Sequence, residues 1–373
     1  MPQQISIWEE ESFYAKQDFI IVGAGFTGLW TALHLKKRFP NKKIAILEKG
    51  NIPTGASLRN AGFACFGSLP EILSDLKAMG VEKTLQLVNW RYLGLKMIRE
   101  YFPFSLIDYS NCGGYELIEQ GDLESEMDRV NRLLHAITGD SKTFAFENEL
   151  IETFGFNQVG QLIKNKFEGA LHSGKLLQNL KAHVCASGVQ ILYATELKQT
   201  EELKDGVQIF TDKDLKLSTE FLILCTNAYI KNFLPEIDLL PARGQVLLTE
   251  PIHNLKINGV FHFNEGFYYF RNLDNRILLG GARNTSFKTE FTFDNFTTWP
   301  IQQELEQFLT TVILPGQKPE ITHRWAGIMG MGTDKYPIVE RLTKRMSCAV
   351  RLSGMGVALA PIISQKLVEF FEE

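Results

Sequence analysis

D-F-I-I-V-G-A-G-F-T-G-L-W-T-A-L-H-L-K-K-R-F-P-N-K-K-I-A-I-L-E-K-G, residues 18–50, decides the fold. Residues 19–22 are an apolar run of strand length. Gly23, Ala24, Gly25, Phe26, Thr27 and Gly28 follow as G-x-G-x-x-G. Residues 29–39 repeat apolar side chains near helical spacing, with Lys36, Lys37 and Arg38 in the last turn. Residues 43–47 read as a second strand that Glu48 closes, with Lys49 next to it. Each glycine has its own physical reason. Gly23 allows a tight turn, Gly25 lets a pyrophosphate approach the backbone, and Gly28 lets helix pack on strand. The free N–H groups and positive dipole end of that helix suit phosphate. The Glu48 carboxylate suits ribose hydroxyls and repels a 2′-phosphate. The context of strand, helix and acid marks a dinucleotide-binding unit, but does not choose between FAD and NAD.

The chain has 373 residues, enough for about two domains. Hydrophobic content of 45% and charged content of 22% place it among ordinary globular proteins. A net charge of −4, with no basic cluster interleaved with aromatics, argues against a nucleic-acid partner. Apolar runs are short, so no membrane span is expected. The stretch M-P-Q-Q-I-S-I-W-E-E-E lacks the basic and apolar regions of a signal peptide. Cys65, Cys112, Cys185, Cys225 and Cys348 are odd in number and widely spaced, and the seven histidines are scattered. Neither a disulfide framework nor a metal site is expected, and a reducing, cytoplasmic setting follows.

Residues 1–17 read as a lead-in whose Trp8 and Phe13 pack on the domain surface. N-I-P-T-G-A-S-L-R-N-A-G-F-A-C-F-G, residues 51–67, is rich in small residues, with Ser57, Arg59 and Asn60 as polar contacts beside the phosphate turn; the other reading is a plain loop. Residues 69–101 are helical in pattern, with Leu85, Val88, Tyr92 and Leu95 on one stripe. Residues 221–225, ending in T-N-A-Y, read as a buried strand that rejoins the nucleotide domain late in the chain. Residues 241–250, 267–270 and 276–281 alternate as in an antiparallel sheet with one face covering something. Near the end, V-R-L-S-G-M-G-V-A-L-A-P, residues 350–361, runs from a strand through Gly354 and Gly356 into a helix starting near Val357. This is either a second helix N-terminus placed at a negative group or a packing helix with a glycine turn.

Together these stretches resemble the D-amino-acid oxidase (DAO) family of FAD-dependent oxidoreductases, which includes glycine oxidase and sarcosine oxidase. The carriers are I-I-V-G-A-G-F-T-G with Glu48, T-G-A-S-L-R-N-A-G-F, L-I-L-C-T-N-A-Y, P-A-R-G-Q-V, R-I-L-L-G-G-A-R, W-A-G-I-M-G-M-G-T-D-K-Y-P and S-G-M-G-V-A-L-A-P, in the family's order. The resemblance implies an α/β fold: an FAD-binding Rossmann-like domain of the glutathione-reductase type and a second, antiparallel-sheet α+β substrate domain. The ranges expected are 1–80, 145–232 and 320–373 for the first and 81–144 and 233–319 for the second.

By position, the resemblance assigns the pyrophosphate to Gly23, Gly25 and Gly28 and the adenosine ribose to Glu48, with Phe26, Thr27 and Lys49 also among the cofactor-binding residues. Ser57, Leu58, Arg59, Asn60, Ala61, Gly62 and Phe63 would line pyrophosphate and flavin. Leu197 would meet adenine through its backbone, with Thr226 and Asn227 nearby. Gly327, Ile328 and Met329, with Gly354, Met355, Gly356 and Val357, would border the isoalloxazine, where a helix start stabilises the negative charge of reduced flavin. Tyr268 or Tyr269 would face the substrate. The implied chemistry is oxidation of a C–N bond of an amine or amino acid by hydride transfer to flavin N5, with oxygen or another acceptor taking the electrons.

Two departures bear on specificity. Glycine oxidase-like members carry a carboxylate-gripping arginine where this chain has Met329, so Arg283, Arg271 or Arg59 would have to supply that charge, or the substrate is an amine without a carboxylate. The segment R-W-A-G-I-M-G has no cysteine for the covalent attachment found in sarcosine oxidase-like members, so FAD is expected to be non-covalent. Phe261, Phe263, Phe267, Tyr268, Tyr269 and Phe270 supply either an apolar amine pocket or core. Competing readings are an NAD-dependent dehydrogenase, which leaves residues 51–67 and 350–371 unexplained, and a flavoprotein with a purely subunit role.

Overall fold

The strand ahead of the glycine turn, Gln17–Val22, lies inside a mostly parallel sheet, and Phe19, Ile20, Ile21 and Val22 are all buried. Only a strand covered on both faces needs such an uninterrupted apolar run. The computed structural model describes residues 4–372. It separates into two units: Met1–Leu58, Gly174–Leu240 and Gly330–Glu373 form the first, and Arg59–Ser173 and Pro241–Met329 the second.

In the first unit the strand order is Ile338–Arg341, Met346–Val350, Lys216–Leu224, Gln17–Val22, Ile44–Leu47, Gln190–Leu192. All neighbours from Met346–Val350 onward are parallel. The strand expected at 221–225 thus pairs directly with Gln17–Val22, with Phe221 opposite Phe19. The hairpin Leu197–Leu203 and Gly206–Thr211 adds antiparallel to Lys216–Leu224. Helix Phe26–Arg38 follows the glycine turn, and a Cβ on Gly28 would lie 1.9 Å from the Gly23 carbonyl oxygen. That helix is held to the C-terminal helix Gly356–Val368 by named contacts. His34 Nε2–H donates to the Pro361 carbonyl (2.9 Å), and Ser364 Oγ donates to the Thr27 carbonyl (2.9 Å).

The second unit is built on an eight-stranded sheet in the order Ile321–Met331, Leu240–Thr249, Arg276–Gly281, Tyr268–Leu273, Val260–Phe263, Gly114–Ile118, Gln161–Asn165, Phe144–Phe146. It is not wholly antiparallel: Val260–Phe263 and Gly114–Ile118 run parallel. Period-two alternation gives it two unlike faces. Tyr115, Leu117, Phe261, Tyr268, Phe270 and Leu279 pack on one face against Ile301, Leu305 and Phe308 of helix Trp299–Phe308. Glu116, His262, Tyr269 and Gly280, cross-strand neighbours in one register, belong to the other.

Three expectations are corrected. Residues 59–80, 145–173 and 320–329 fall in the second unit and 233–240 in the first; Phe144–Phe146, Gln161–Asn165 and Ile321–Met331 belong to the second unit's sheet, and Phe63–Ala64 pairs with Gly169–Ala170. Helix Ile7–Ser12 carries a Ser6/Glu9 capping box but buries nothing; Trp8 is 75% exposed and Phe13 53%, so neither packs down. Helix Val81–Tyr101 buries Thr84, Leu87, Val88, Arg91 and Leu95, turned from the expected stripe so that Leu85 and Tyr92 are half-buried. Among the described residues no helix is long and apolar enough to cross a membrane.

Two outcomes follow. Gly28→Ala drives a methyl into backbone that cannot yield, and is expected to cost on the order of 3 kcal/mol in denaturant unfolding. Burial lowers the His34 pKa from 6.5 to about 4, despite the Pro361 carbonyl. The folded state therefore binds fewer protons than the unfolded chain between those values. Stability should fall as pH drops from 6.5 towards 4, by up to about 3 kcal/mol. His34→Gln keeps a donor for Pro361 and should remove that share of the acid sensitivity, read from urea midpoints across the window.

Candidate functional site

In the first unit the glycine turn and Glu48 form one constellation. The Glu48 Oε2 accepts from Ala24 N–H and its Oε1 from Gly50 N–H, both at 3.0 Å, so the carboxylate is locked at the mouth of the turn. Gly23 sits at φ +106°, open only to glycine at low cost. Gly25 begins helix Phe26–Arg38 with no side-chain cap and no acid in the first turn. The first-turn amides of such a helix have no intrahelical partner. Ser57 Oγ accepts from Phe26 N–H (2.9 Å), while Thr27 and Gly28 continue the turn. Leu58 closes a bend onto the Gly55 carbonyl (3.1 Å). Lys49 Nζ stands 3.7 Å over the Tyr229 ring, and Leu197 is a buried strand start.

Among the described residues of this unit, two hydroxyls are buried without a hydrogen-bond partner: Thr226 Oγ1, just after Lys216–Leu224, and Ser353 Oγ, before Gly354. Asn227, after Thr226, is in the left-handed region at φ 48°, as are Ser353 (47°) and Gly354 (81°). Met355 then begins helix Gly356–Val368, again without a side-chain cap or first-turn acid, and Val357 is buried. Two helix starts whose N-cap residues make no side-chain cap, glycines at both turns and orphaned hydroxyls are a donor set fit for an anionic dinucleotide. Arg351, invisible as a site residue in the sequence, ties this end together: it donates to the carbonyls of Tyr336 and Asp238 and pairs with Asp334.

In the second unit the face carrying Tyr269 is covered by residues 59–68. Phe63 meets the rings of Tyr269 (5.8 Å) and His262 (5.3 Å) edge to face. Ala61 packs against Val246, Leu248 and Leu278. Asn60 Oδ1 accepts from Gly62 N–H and Ser173 Oγ. Trp325 Nε1 donates to the Arg59 carbonyl while Arg59 donates to the Ala326 carbonyl; Gly327 leaves room for the Arg59 side chain, and Ile328 is buried. Tyr269 stands over Gly280, where any Cβ would lie 2.5 Å from its ring, and Met329 reaches the same spot over Gly244. Burial raises the Tyr269 hydroxyl to about 12 against the opposing influence of Arg283, so it stays protonated.

The two tyrosines therefore separate. Tyr268 is not a substrate-facing residue: its ring is in the apolar core and its hydroxyl donates to Glu304 (2.7 Å). The three candidate arginines separate as well. Arg271 Nη1 donates to the carbonyls of Gly62 and Leu171, and its Nε to that of Asn272, so it is a clamp for the covering segment. Arg59 donates to the Ala326 carbonyl. Arg283 lies between the rings of Phe267 (5.9 Å) and Phe287 (5.1 Å), close enough to Tyr269 for their charges to couple, and desolvation lowers its pKa. Nearby, Arg243 of the P-A-R-G-Q-V stretch makes a two-pronged pair with Glu290, whose hydrogen bonds raise the arginine pKa.

Further along the same sheet row, beside Tyr269, come His262 and Glu116. The fold brings His262 to Cys65 and Glu168, although nothing in their spacing along the chain suggests it. Glu71 pairs with the fully buried Arg91 just beyond (3.1 Å).

The model of the DAO family, FAD dependent oxidoreductase, matches residues 18–370. The chain is 26% identical over 94% of its length to a probable oxidoreductase OrdL of Haemophilus influenzae, covering 82% of that protein. It is 23% identical over 73% of its length to the L-2-hydroxyglutarate dehydrogenase of Escherichia coli, covering 65% of that protein. Among solved structures, glycine oxidase from Geobacillus kaustophilus superposes with a TM-score of 0.76 at 18% identity, covering 96% of both chains. The match over nearly the whole chain excludes the NAD-dependent reading: this protein belongs to the DAO family of FAD-dependent oxidoreductases.

Proposed function

We propose that this enzyme oxidises the C–N bond of a small amino acid or related carboxylated amine, with FAD held non-covalently. The observation that carries the reading is the group formed by Tyr269, Met329, Gly280, Phe63 and Arg283 in the second unit. FAD, when bound, would supply the two-electron acceptor for the hydride. The protein's share is to hold the amine neutral, orient its α-carbon and anchor its anionic end.

The residues divide that work between them. Gly244 and Gly280 keep the sheet surface low, so that Tyr269 and Met329 form a floor over which a small molecule can lie. The phenol of Tyr269, held protonated, donates a hydrogen bond but removes no proton. Arg283 replaces the arginine that Met329 displaces: its guanidinium has aromatic neighbours and no carboxylate hydrogen-bonded to it among the described residues. A positive charge there repels an ammonium and attracts a carboxylate, which favours the neutral amine that hydride loss requires. A secondary alcohol, by contrast, must surrender its hydroxyl proton to a base. His262, opposite Tyr269 in the sheet, is buried against the Phe63 ring together with Cys65 and Glu168. This favours C–N over C–O chemistry, although the Escherichia coli relative is a hydroxyglutarate dehydrogenase.

The dinucleotide is proposed to lie along the first unit, its pyrophosphate at Gly23, Gly25 and Gly28, its ribose at Glu48, and its flavin end towards Gly354, Met355, Gly356 and Val357. Ser364 touches Thr27, and Gly356 lies eight residues earlier on the same helix. At 1.5 Å per residue that is about 12 Å, a span an extended dinucleotide covers. The free cysteines support a reducing compartment. Oxygen or another acceptor would reoxidise the enzyme.

An anaerobic panel of amino acids, their decarboxylated amines and 2-hydroxy acids should bleach the oxidised-flavin absorbance only with amino compounds. Bleaching by hydroxy acids alone would overturn the reading. Arg283→Met should raise KM for a carboxylated amine on the order of 100-fold while leaving its decarboxylated counterpart little changed, and Tyr269→Phe should cost about tenfold.

A further inference from the structure

Behind Phe63 the second unit holds a buried set of groups that oxidation of an amine does not use. Cys65 Sγ, a Glu168 carboxylate oxygen and a His262 ring nitrogen lie within 4.8 Å of one another, and the residues are 2%, 1% and 9% exposed. They come from the covering segment, the turn before Gly169–Ala170 and a central strand. His262 Nε2 is buried with no hydrogen-bond partner. Glu168 is already oriented: its Oε1 accepts from the N–H groups of Phe66 (2.8 Å) and Gly67 (3.0 Å), leaving Oε2 to face elsewhere. Glu116, paired in register with His262, has both carboxylate oxygens buried, near the Ser68 hydroxyl.

The charge count points the same way. Of the buried cations around this point, Arg91 is bonded to Glu71, and Arg271, whose charge couples to Cys65, is bonded to the carbonyls of Gly62, Leu171 and Asn272. Glu168 and Glu116 have no cation of their own among the described residues, and uncompensated buried carboxylates are costly. Thiolate, imidazole and carboxylate are the donors that zinc takes, at about 2.3, 2.1 and 2.0 Å. Ligands at those lengths stand about 3.5 Å apart, so small side-chain rotations close the set. Backbone N–H bonds that fix the carboxylate are the usual outer support of such a ligand.

We propose that Cys65, Glu168 and His262 bind a zinc-like divalent ion, with Glu116 beside it to balance charge or complete the shell. The ion would pin the covering segment to the sheet, and so set the Phe63 ring against Tyr269, without taking part in the oxidation.

The test is metal analysis of the FAD-loaded protein after incubation with zinc and desalting. The wild type should retain about one zinc per chain. Cys65→Ala and His262→Gln should each lower retention by at least about tenfold, whereas Cys348→Ala, in the other unit, should not. Cobalt(II) should replace zinc and show a thiolate-to-metal charge-transfer band that is lost in Cys65→Ala. FAD content reports whether each variant has folded. A wild type that binds FAD but retains no zinc or cobalt overturns the proposal, as does retention that both substitutions leave unchanged.

Discussion

The α-carbon of Gly28 rests against the carbonyl of Gly23, and the first unit depends on that contact. A helix can follow a strand this closely only where no Cβ intervenes. The contact fixes where the first-turn amides of helix Phe26–Arg38 point, and it brings Ala24 N–H to Glu48. The helix then serves as a post: His34, Thr27 and Arg38 accept or donate to the C-terminal helix along its length. One steric allowance thus positions one helix start and anchors a second helix, and in neither does the N-cap residue bond the first turn through its side chain.

The second unit rests on the two-residue period of a β-strand. Val260–Phe263 and Tyr268–Leu273 carry a dense set of aromatics, and alternation sends Phe261, Tyr268 and Phe270 into the core while Tyr269 and His262 go to the other face. The glycines of R-I-L-L-G-G-A-R then make sense in pairs: Gly280 clears space for the Tyr269 ring and Gly281 for the Phe267 backbone. The position that carries arginine in glycine oxidase-like members is Met329 here, in contact with that floor. Arg283, just past the strand Arg276–Gly281, has aromatic neighbours and no carboxylate hydrogen-bonded to it among the described residues.

Much of this is legible in local pattern. The glycine turn, Glu48, the returning strand and the second helix start each depend on short-range rules, and each appears at the expected residues. What escapes such rules depends on contacts between distant segments. Arg91, Glu116, Glu168 and His262 look like ordinary helix and strand residues, since no local signal marks a charge as buried. The second unit takes in residues 59–80 and 145–173 because their strands pair with partners about a hundred residues away in the one case and about fifty in the other. Trp8 and Phe13 stay exposed because an apolar side chain alone says nothing about whether a surface exists to receive it. Arg271 reads as a free guanidinium in the sequence, and only the fold surrounds it with three carbonyls.

The central claim is that two helix starts in the first unit are built for one FAD, bound without a covalent bond. The most direct measurement is to denature purified protein with heat or acid, separate the precipitate, and identify the nucleotide in the supernatant. The account predicts a yellow supernatant containing intact FAD at about one per chain and a colourless precipitate. A supernatant with no flavin, from protein that also fails to take up added FAD, would contradict it; flavin retained in the precipitate would contradict the non-covalent linkage.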